Sequence, residues 1–402
     1  MGAPIPIYLA AFAAATSMSL MGLGSLFFLR NGFHASPAVV ASVAVAWNIP
    51  YVLGCLFFRP LFKRMRPSAS IAGASAVASA AILGCASSGS VWEFALFYFA
   101  FGTALAFFWP MMMGWLSSGS EGGELGRRQG IYNMSWCLGI AVGPYFAGKL
   151  SEMDLTAPLH TAAAVFALVA LPMGWIALRG GGGRSAPPEN AVDPGVDDEP
   201  AAALSVASHP APAENAATIR YLAWVGLFSA YFANGASWNV LPLYLNEILD
   251  FSKPAVGALF LTRSLAMTAA FYLWGKTLFW HGKTYPLVIA QTALAATVLA
   301  LIPARGVFVI ATLLAVFGAL SAFCYSSAIF HGVAGAADKA RRVGTHEAIL
   351  AASAVTGSIV SGLLYQEFSM ATVFAGCAGL CLLAAATQTA GAASARPTHG
   401  KN

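Results

Sequence analysis

Charge is what this sequence has least of. Only 9% of its 402 residues are Asp, Glu, Lys or Arg, whereas a soluble domain carries about 25%. Hydrophobic residues make up 58% of the chain and the mean hydropathy is +0.70. Such a chain has too little polar surface to cover a soluble core. Its long unbroken apolar runs also exclude a β-barrel, whose strands alternate in hydropathy over ~10 residues. The composition therefore predicts an all-α, polytopic membrane protein.

Motifs for catalysis and metal binding are also missing. The six cysteines all lie inside apolar runs, without the spacing that zinc sites require. His346 and Glu347 are adjacent, but the second His of an H-E-x-x-H zinc motif is absent. No G-x-S-x-G, P-loop or G-x-G-x-x-G motif follows a strand-like segment. We therefore expect a protein that is not an enzyme and that needs neither metal nor cofactor.

Long apolar runs are what the sequence does have. One membrane-spanning helix needs roughly 20 apolar residues, so 402 residues accommodate about twelve spans with short loops. The predicted spans, numbered 1 to 12 in chain order, are 5–29, 37–58, 69–87, 92–117, 130–150, 160–178, 220–246, 254–275, 285–303, 306–331, 344–365 and 370–390.

The basic residues orient these spans. With both termini cytoplasmic, sixteen of the 21 Lys and Arg residues fall in inner loops and tails, and four fall in outer loops. Such a bias marks the cytoplasmic side. The first apolar run lacks a cleavage site and is expected to stay as a span. We predict a multi-pass protein of a prokaryotic inner membrane, whose net charge of +5 reflects topology and not a nucleic-acid partner.

One segment interrupts the alternation of spans and loops. Residues 179–218 are rich in Gly, Pro, Ala and acidic residues, a composition that cannot bury enough apolar surface to fold. We predict a disordered cytoplasmic linker there. It separates an N-terminal six-helix bundle, 1–178, from a C-terminal six-helix bundle with a short cytoplasmic tail, 219–402.

The two halves are repeats of each other. Residues 101–107 and 317–323 both read F-G-x-x-x-A-F, at an offset of 216 residues. Residues 127–130 and 341–344 both read R-R-x-G, at an offset of 214. Because each half has an even number of spans, the repeats share one orientation and are related by an axis along the membrane normal.

This organisation resembles the major facilitator superfamily of secondary transporters. Span 5 carries most of that family's antiporter motif, G-x8-G-x3-GP-x2-GG, with Ala147 in place of one glycine. The matching residues are Gly130, Gly139, Gly143, Pro144 and Gly148. The resemblance implies that this face meets the opposite half and governs opening at one side. The alternative is ordinary packing, since small residues at every fourth position let any partner helix approach closely.

The family's loop motif between spans 2 and 3, G-x-x-x-D-R-x-G-R-R, is degraded. Gly54 and Arg59 match, but Phe58 stands in place of the Asp and Leu61 in place of the second Gly. The charge relay ascribed to this loop therefore cannot be transferred. We interpret the chain as a divergent member of the family.

Arg263 is the one basic residue within a span. It lies about 13 Å into span 8 at 1.5 Å per residue, near the centre of a ~30 Å hydrocarbon core. A charge at that depth is costly unless it faces water, a carboxylate or a substrate. We predict a cationic anchor for an anionic or carboxylated solute. The alternative is a structural counter-ion for an interior acid.

Glu347 is the one acid well inside the C-terminal spans, and His346 precedes it. A protonatable carboxylate there predicts coupling to a proton gradient. The alternative is an acid that interacts with the positive end of its own helix, because the predicted start of span 11 is only three residues away.

Further polar and aromatic residues inside spans are candidates for contacting the solute. In span 7, Asn234-Gly235 predicts a break in the helix. For the aromatic residues the alternative is ordinary packing. The full candidate set is Asn234, Trp238, Asn239, Trp109, Tyr325, Asn48 and Asn133.

These features together predict a twelve-span transporter that moves a small organic solute by alternating access between two rocking halves. We expect proton coupling, with export favoured by the span 5 motif, and a monomer in the lipid bilayer. One alternative is a proton symporter that takes up a sugar, nucleoside or organic anion. Another is a transport-inactive membrane sensor or scaffold.

Overall fold

The structure is a computed structural model, and it describes residues 5–62, 64–118, 122–180, 213–277, 279–334 and 339–394. Within these ranges the fold is all-α, without strands. The helices are α1 (Ile5–Phe27), α2 (Pro37–Ala44), α3 (Asn48–Phe57), α4 (Arg59–Phe62), α5 (Pro67–Ala86), α6 (Val91–Ser117), α7 (Gly122–Met153), α8 (Ala157–Leu178), α9 (Ala213–Asn239), α10 (Leu241–Glu247), α11 (Lys253–Lys276), α12 (Tyr285–Ala300), α13 (Val307–Val333), α14 (Lys339–Glu367) and α15 (Met370–Ser394), with a π-helical turn at Phe28–Gly32.

All twelve predicted spans are helical. Nine helical segments among the described residues are long and apolar enough to cross a membrane. The other three predicted spans correspond to α7, to α9 with α10, and to the shorter α12. The predicted linker lies mostly outside the described residues, and its last residues, from Ala213 onward, already belong to α9.

Two of the spans are interrupted where proline removes a backbone donor. Span 2 consists of α2 and α3, separated by a turn at 45–47, and Pro50 follows in the first turn of α3. Its ring clashes with a helical carbonyl four residues earlier. Span 7 breaks at Val240, ahead of Pro242. The break predicted at Asn234-Gly235 is therefore wrong, because α9 runs through that position.

By its internal contacts the described chain forms two compact units. Unit 1 comprises residues 5–180 together with Asn239–Ser264, and unit 2 comprises 213–238 together with 265–394, with the gaps given above. Unit 1 thus contains α10 and the first half of α11, although both follow the linker in sequence. The predicted domain boundary at 179–218 stays a prediction.

The core of unit 1 is built on an aromatic ladder along α6. Phe94, Phe101 and Phe108 recur every seventh residue, and each is at most 2% exposed. Phe166 of α8 contacts two of them, with ring centroids 5.9 Å from Phe101 and 6.0 Å from Phe108. This seven-residue spacing keeps one face of α6 against its neighbour over the length of the helix.

The core of unit 2 contains a buried amide network. The Gln291 carbonyl oxygen accepts a hydrogen bond from the Ser229 hydroxyl at 2.7 Å, and its amide nitrogen donates to the Gly226 carbonyl at 2.9 Å. That nitrogen also lies 3.3 Å from the Cys324 sulfur. Gln388 donates to the Leu222 carbonyl at 3.0 Å. Such bonds hold helices together where no water competes.

The connections after α1 and after α10 repeat one another closely. His34 and Asp250, 216 residues apart, both adopt positive φ, at 51° and 54°. Five residues upstream of each following residue the chain closes the same backbone bond, Ala35 N–H to Leu29 O at 3.2 Å and Phe251 N–H to Leu245 O at 3.0 Å. Each turn then ends at a serine whose hydroxyl accepts a backbone N–H at 3.4 Å, Ser36 before α2 and Ser252 before α11.

Candidate solute and proton sites

Arg263 lies close to the middle of α11. Ten residues separate it from the helix start at Lys253, which is about 15 Å at 1.5 Å per residue. Its side chain is fully buried within unit 1. A guanidinium stays charged at any physiological pH, so this position holds a permanent positive charge inside the helical assembly.

Tyr325, His346 and Glu347 come together in unit 2. The Tyr325 hydroxyl donates to the Glu347 Oε1 at 3.4 Å, and the same oxygen lies 3.7 Å from the His346 Nε2. The rings of Tyr325 and His346 meet edge to face, with centroids 4.8 Å apart. Tyr325 comes from α13, and the other two residues come from α14. We call these three side chains the acid cluster.

Within the acid cluster, burial differs from residue to residue. His346 is fully buried, whereas the Glu347 side chain keeps 14% of its surface exposed. Neither imidazole nitrogen of His346 has a hydrogen-bond partner within the described part of the chain. A carboxylate that is partly reachable and faces a hydroxyl and an imidazole can hold or release a proton as its surroundings change.

The observed start of α14 bears on the alternative role of Glu347. The helix begins at Lys339 and not near residue 344, so Glu347 lies in its third turn. The effect of a helix dipole on a side chain falls off within the first turn. Stabilisation of an acid at the helix N-terminus therefore does not account for Glu347.

Aromatic side chains surround the acid cluster. The Tyr231 ring of α9 lies 6.1 Å from the Tyr325 ring, and the Phe271 ring of α11 lies 5.6 Å from it in an edge-to-face arrangement. The acid cluster therefore lies beside a wall of aromatic rings from three helices of unit 2. Neither Tyr231 nor Phe271 was among the sequence candidates; the signal that marks them is an aromatic residue inside a polar-containing span.

Unit 1 carries a neutral counterpart of the acid cluster. Trp109, Tyr132 and Asn133 precede Tyr325, His346 and Glu347 by the repeat offsets of 216 and 214 residues. The Trp109 and Tyr132 rings also meet edge to face, 6.5 Å apart. The same positions therefore hold an amide in one repeat and a carboxylate in the other, and only the second repeat can exchange a proton at this place.

The remaining candidates are distributed between the two units. Asn48 in unit 1 donates to the Val45 carbonyl at 3.2 Å, so its amide closes the turn between α2 and α3. Asn239 is also in unit 1, at the end of α9. Asn234 and Trp238 are in unit 2, and Asn234 is 5% exposed. The structure describes no group of three metal-binding side chains within its ranges.

The glycine motif of α7 contacts two different partners. A Cβ atom on Gly139 would lie 2.5 Å from the Phe12 carbonyl of α1, and one on Gly143 would lie 2.7 Å from the Thr16 carbonyl. Gly148 instead packs against Lys253 and Pro254 at the start of α11. The expectation that the whole face meets the opposite half is therefore wrong for Gly139 and Gly143, and it holds for Gly148.

The other two motif residues also behave differently from each other. The Pro144 carbonyl packs against Gly257 of α11, and so continues the contact made by Gly148. Gly130 has no atom within 4 Å of where its Cβ would lie. Gly130 is thus outside the close contact, although it fits the sequence motif.

An ion pair joins α1 to α10 at the predicted outer end of unit 1. Arg30 in the π-helical turn pairs with Glu247 through two bonds, Nε to Oε1 at 2.6 Å and Nη2 to Oε2 at 3.0 Å. Its Nη1 also donates to the Ala35 carbonyl at 2.9 Å. Nearby, the Lys253 ammonium donates to the Ser151 carbonyl at 3.2 Å. We call Arg30 and Glu247 the outer latch; sequence reasoning missed it because the two residues are 217 positions apart.

Comparison with known families decides the classification. The sequence model described as the Major Facilitator Superfamily matches residues 7–222 and again 223–399. The chain belongs to the major facilitator superfamily. The two matches correspond to the two repeats, and this membership confirms a fold of twelve transmembrane helices in two parallel six-helix repeats.

Solved structures of major facilitator transporters share this fold. The nucleoside transporter NupG superposes with a TM-score of 0.76 at 13% identity, covering 97% of this chain and 99% of its own. A bacterial homologue of the human lysosomal transporter Spinster superposes with a TM-score of 0.71 at 11% identity, covering 100% of both chains. Comparison with curated protein sequences gave no match. The protein is thus a multi-pass membrane protein of a transporter family, and its fold supports secondary transport of small molecules.

Proposed function

We propose that this major facilitator protein is a proton-coupled transporter of a small, anionic or carboxylated organic solute, working by alternating access. The observation that carries the proposal is the acid cluster, in which the Glu347 carboxylate faces the Tyr325 hydroxyl and the His346 ring. Acidic residues within transmembrane helices are costly and mark proton pathways.

Protonation of Glu347 changes the balance of states for an electrostatic reason. The ionised carboxylate is favoured by the Tyr325 hydroxyl, 3.4 Å away, and by water at its exposed edge. The neutral acid tolerates a drier environment. If one conformation of the transporter buries Glu347 more than the other, proton uptake stabilises that conformation, and its release favours the return.

Arg263 is proposed as the group that selects the charge of the solute. It is fully buried, and it supplies a fork of donors that matches a carboxylate. A solute carboxylate would offset the cost of keeping that charge inside the membrane. Its alternative role, a structural counter-ion, predicts loss of folded protein instead of loss of solute affinity.

The proposal includes direction and placement. Export is favoured by the contact of Gly148 and Pro144 with α11, which is the part of the antiporter motif that joins residues from both halves of the sequence. We propose a monomer in the inner membrane with both termini cytoplasmic, on the basis of the distribution of Lys and Arg.

The test of coupling is a flux assay in liposomes with Glu347→Gln. An imposed pH gradient should drive solute accumulation by the wild-type protein. Glu347→Gln should lose that accumulation yet retain exchange of labelled for unlabelled solute, because the neutral amide cannot release a proton. Glu93→Gln is the matched control, since Glu93 lies in the first turn of α6 and bonds to the Gly89 N–H at 2.7 Å. Flux that ignores the pH gradient in the wild-type protein would contradict the proposal.

A second candidate function is uptake of a ring-bearing solute such as a nucleoside or a sugar by proton symport. It is favoured by the Tyr231, Phe271 and Tyr325 rings, which can stack on a planar or apolar ring face. A thermal-shift screen against carboxylates, nucleosides and sugars separates the two, because the ligand that binds raises the unfolding temperature. Absence of flux for every solute would favour the sensor or scaffold alternative.

A further inference from the structure

Four cation–aromatic pairs lie at the predicted cytoplasmic ends of the helices. In each pair the aromatic ring is more than half exposed, and a Lys or Arg lies over it. Aromatic rings beside basic residues are typical of the membrane–water interface. The pairs are Arg179 over Trp175 at 4.2 Å, Arg220 over Tyr221 at 4.8 Å, Lys276 over Tyr272 at 4.2 Å and Lys283 over Tyr285 at 5.9 Å.

Only the pair on α9 gains a second arginine within the described ranges. The Arg220 guanidinium also lies 5.8 Å from the Trp224 ring, one turn further along α9. Arg342 of α14 lies 6.0 Å from the same ring. Trp224 is 7% exposed, and both guanidinium groups act electrostatically on the Tyr221 hydroxyl. Two positive charges from two helices of unit 2 are therefore held around one indole.

This basic pair has no counter-charge in the described structure. Neither Arg220 nor Arg342 forms an ion pair with any described acidic residue. The Arg220 Nε and the Trp224 indole nitrogen are also buried without a hydrogen-bond partner in the same ranges. Buried donors that lack a partner cost free energy, and two neighbouring guanidinium groups repel each other. An anion with several acceptor oxygens would satisfy all of these groups.

We propose that Arg220, Arg342 and Trp224 bind the phosphate headgroup of an anionic phospholipid from the cytoplasmic leaflet. We call these three residues the headgroup site. The guanidinium fork matches phosphate oxygens, and basic pockets between transmembrane helices on the cytoplasmic side are suited to acidic headgroups. The exposed Tyr221 places the headgroup site at the interface, where a lipid headgroup is already concentrated. A bound lipid would link α9 to α14 at their N-terminal ends.

The test is thermal unfolding of the delipidated full chain in a neutral detergent. Phosphatidylglycerol should raise the unfolding temperature, and phosphatidylcholine should raise it much less. Arg220→Gln and Arg342→Gln should each weaken the apparent affinity for phosphatidylglycerol about fivefold, since one Arg near an acidic membrane surface contributes on the order of 1 kcal/mol. Their unfolding temperatures in phosphatidylcholine should equal that of the wild-type protein.

Arg179→Gln is the matched control, because Arg179 lies over one exposed tryptophan without a second arginine. It should leave the affinity for phosphatidylglycerol unchanged. An equal loss in Arg179→Gln, or equal stabilisation by the two lipids, would overturn the proposal. Stabilisation of the same size by inorganic phosphate alone would show a site for soluble anions and would also overturn it.

Should either arginine variant fold poorly, Trp224→Phe keeps the ring and removes only the indole N–H. Native mass spectrometry of this variant should show fewer retained phosphatidylglycerol molecules than the wild-type protein. Equal retention would contradict a role for the indole nitrogen in the headgroup site. None of these measurements depends on solute transport.

Discussion

At the scale of single residues, the two charges inside predicted spans have different chemical capacities. Arg263 is permanently charged and fully buried, so it can attract an anion but cannot exchange a proton. Glu347 can exchange a proton, and its partners Tyr325 and His346 are both within 4 Å of its Oε1. This division of chemistry is what a coupled transporter requires: one group for the solute and another for the ion.

The role of Arg263 is testable with a conservative and a neutral substitution. Arg263→Gln should lower affinity for an anionic solute by about tenfold or more, because a charged hydrogen-bond partner contributes roughly 1.5–3 kcal/mol. Arg263→Lys should retain part of that affinity. Binding is measured by solute-dependent thermal shift. Unchanged affinity in Arg263→Gln, together with a reduced yield of folded protein, would instead support a structural counter-ion.

At the scale of helices, the repeats use the same close contact twice. Gly143 of α7 packs on α1, and its equivalent Gly357 of α14 packs on Phe232 of α9, where a Cβ would lie 2.7 Å from the Phe232 Cα. From the other side, Gly235 of α9 packs on Ala354 and Ser358. Glycine is needed here because two helix backbones touch, and that explains why Asn234-Gly235 is a contact point and not a break.

These contacts predict a sharp difference between two glycines of α7. Gly143→Ala should lower the free energy of unfolding by about 1–3 kcal/mol, the usual range for overpacking, because its Cβ would clash with Ser19 and Thr16. Gly130→Ala should be neutral, since no atom lies within 4 Å of the added carbon. Unfolding of both variants in one detergent checks this. Equal effects would mean that the contact is not tight.

Sequence reasoning reached the helices more easily than the contacts between them. Length and hydropathy set the twelve spans because the bilayer fixes how long an apolar helix must be. Glu347 and His346 were found as polar residues in an apolar run, and Tyr325 through its repeat position. The partners of Gly139, and the ion pair of Arg30 with Glu247, depend on which helices are neighbours. A single sequence does not encode that in any local pattern.

At the scale of the whole molecule, the outer latch joins residues from both halves of the sequence within unit 1. Arg30 and Glu247 keep 29% and 24% of their side-chain surface exposed, so water screens the pair. Its contribution is therefore about 1 kcal/mol or less, the range for exposed ion pairs. That is enough to change the ratio of two conformations about fivefold, and too little to hold one of them permanently.

Breaking the outer latch should shift this ratio. Arg30→Gln should broaden the distance distribution between spin labels at the exposed positions Gly32 and Asp250, and Arg30→Glu combined with Glu247→Arg should restore it. Arg305→Gln is the control, because Arg305 bonds only to the Ile302 and Ala304 carbonyls at 2.8 Å. Identical distributions for the wild-type protein and Arg30→Gln would show that the pair does not affect the equilibrium.

The matching turns after α1 and α10 also carry a trace of the protein's ancestry. Arg30 and Asn246 are equivalent positions, and both side chains donate to the carbonyl five residues ahead, at 2.9 Å and 2.8 Å. Their cross-partners, Glu247 and Asn31, are equivalent as well. A perfectly duplicated gene would place two such ion pairs around the axis. This chain has one, because Asn occupies both positions of the second. The two copies have diverged at the point where they touch, so opening this end breaks a single charged contact where an unmodified duplicate would have had to break two.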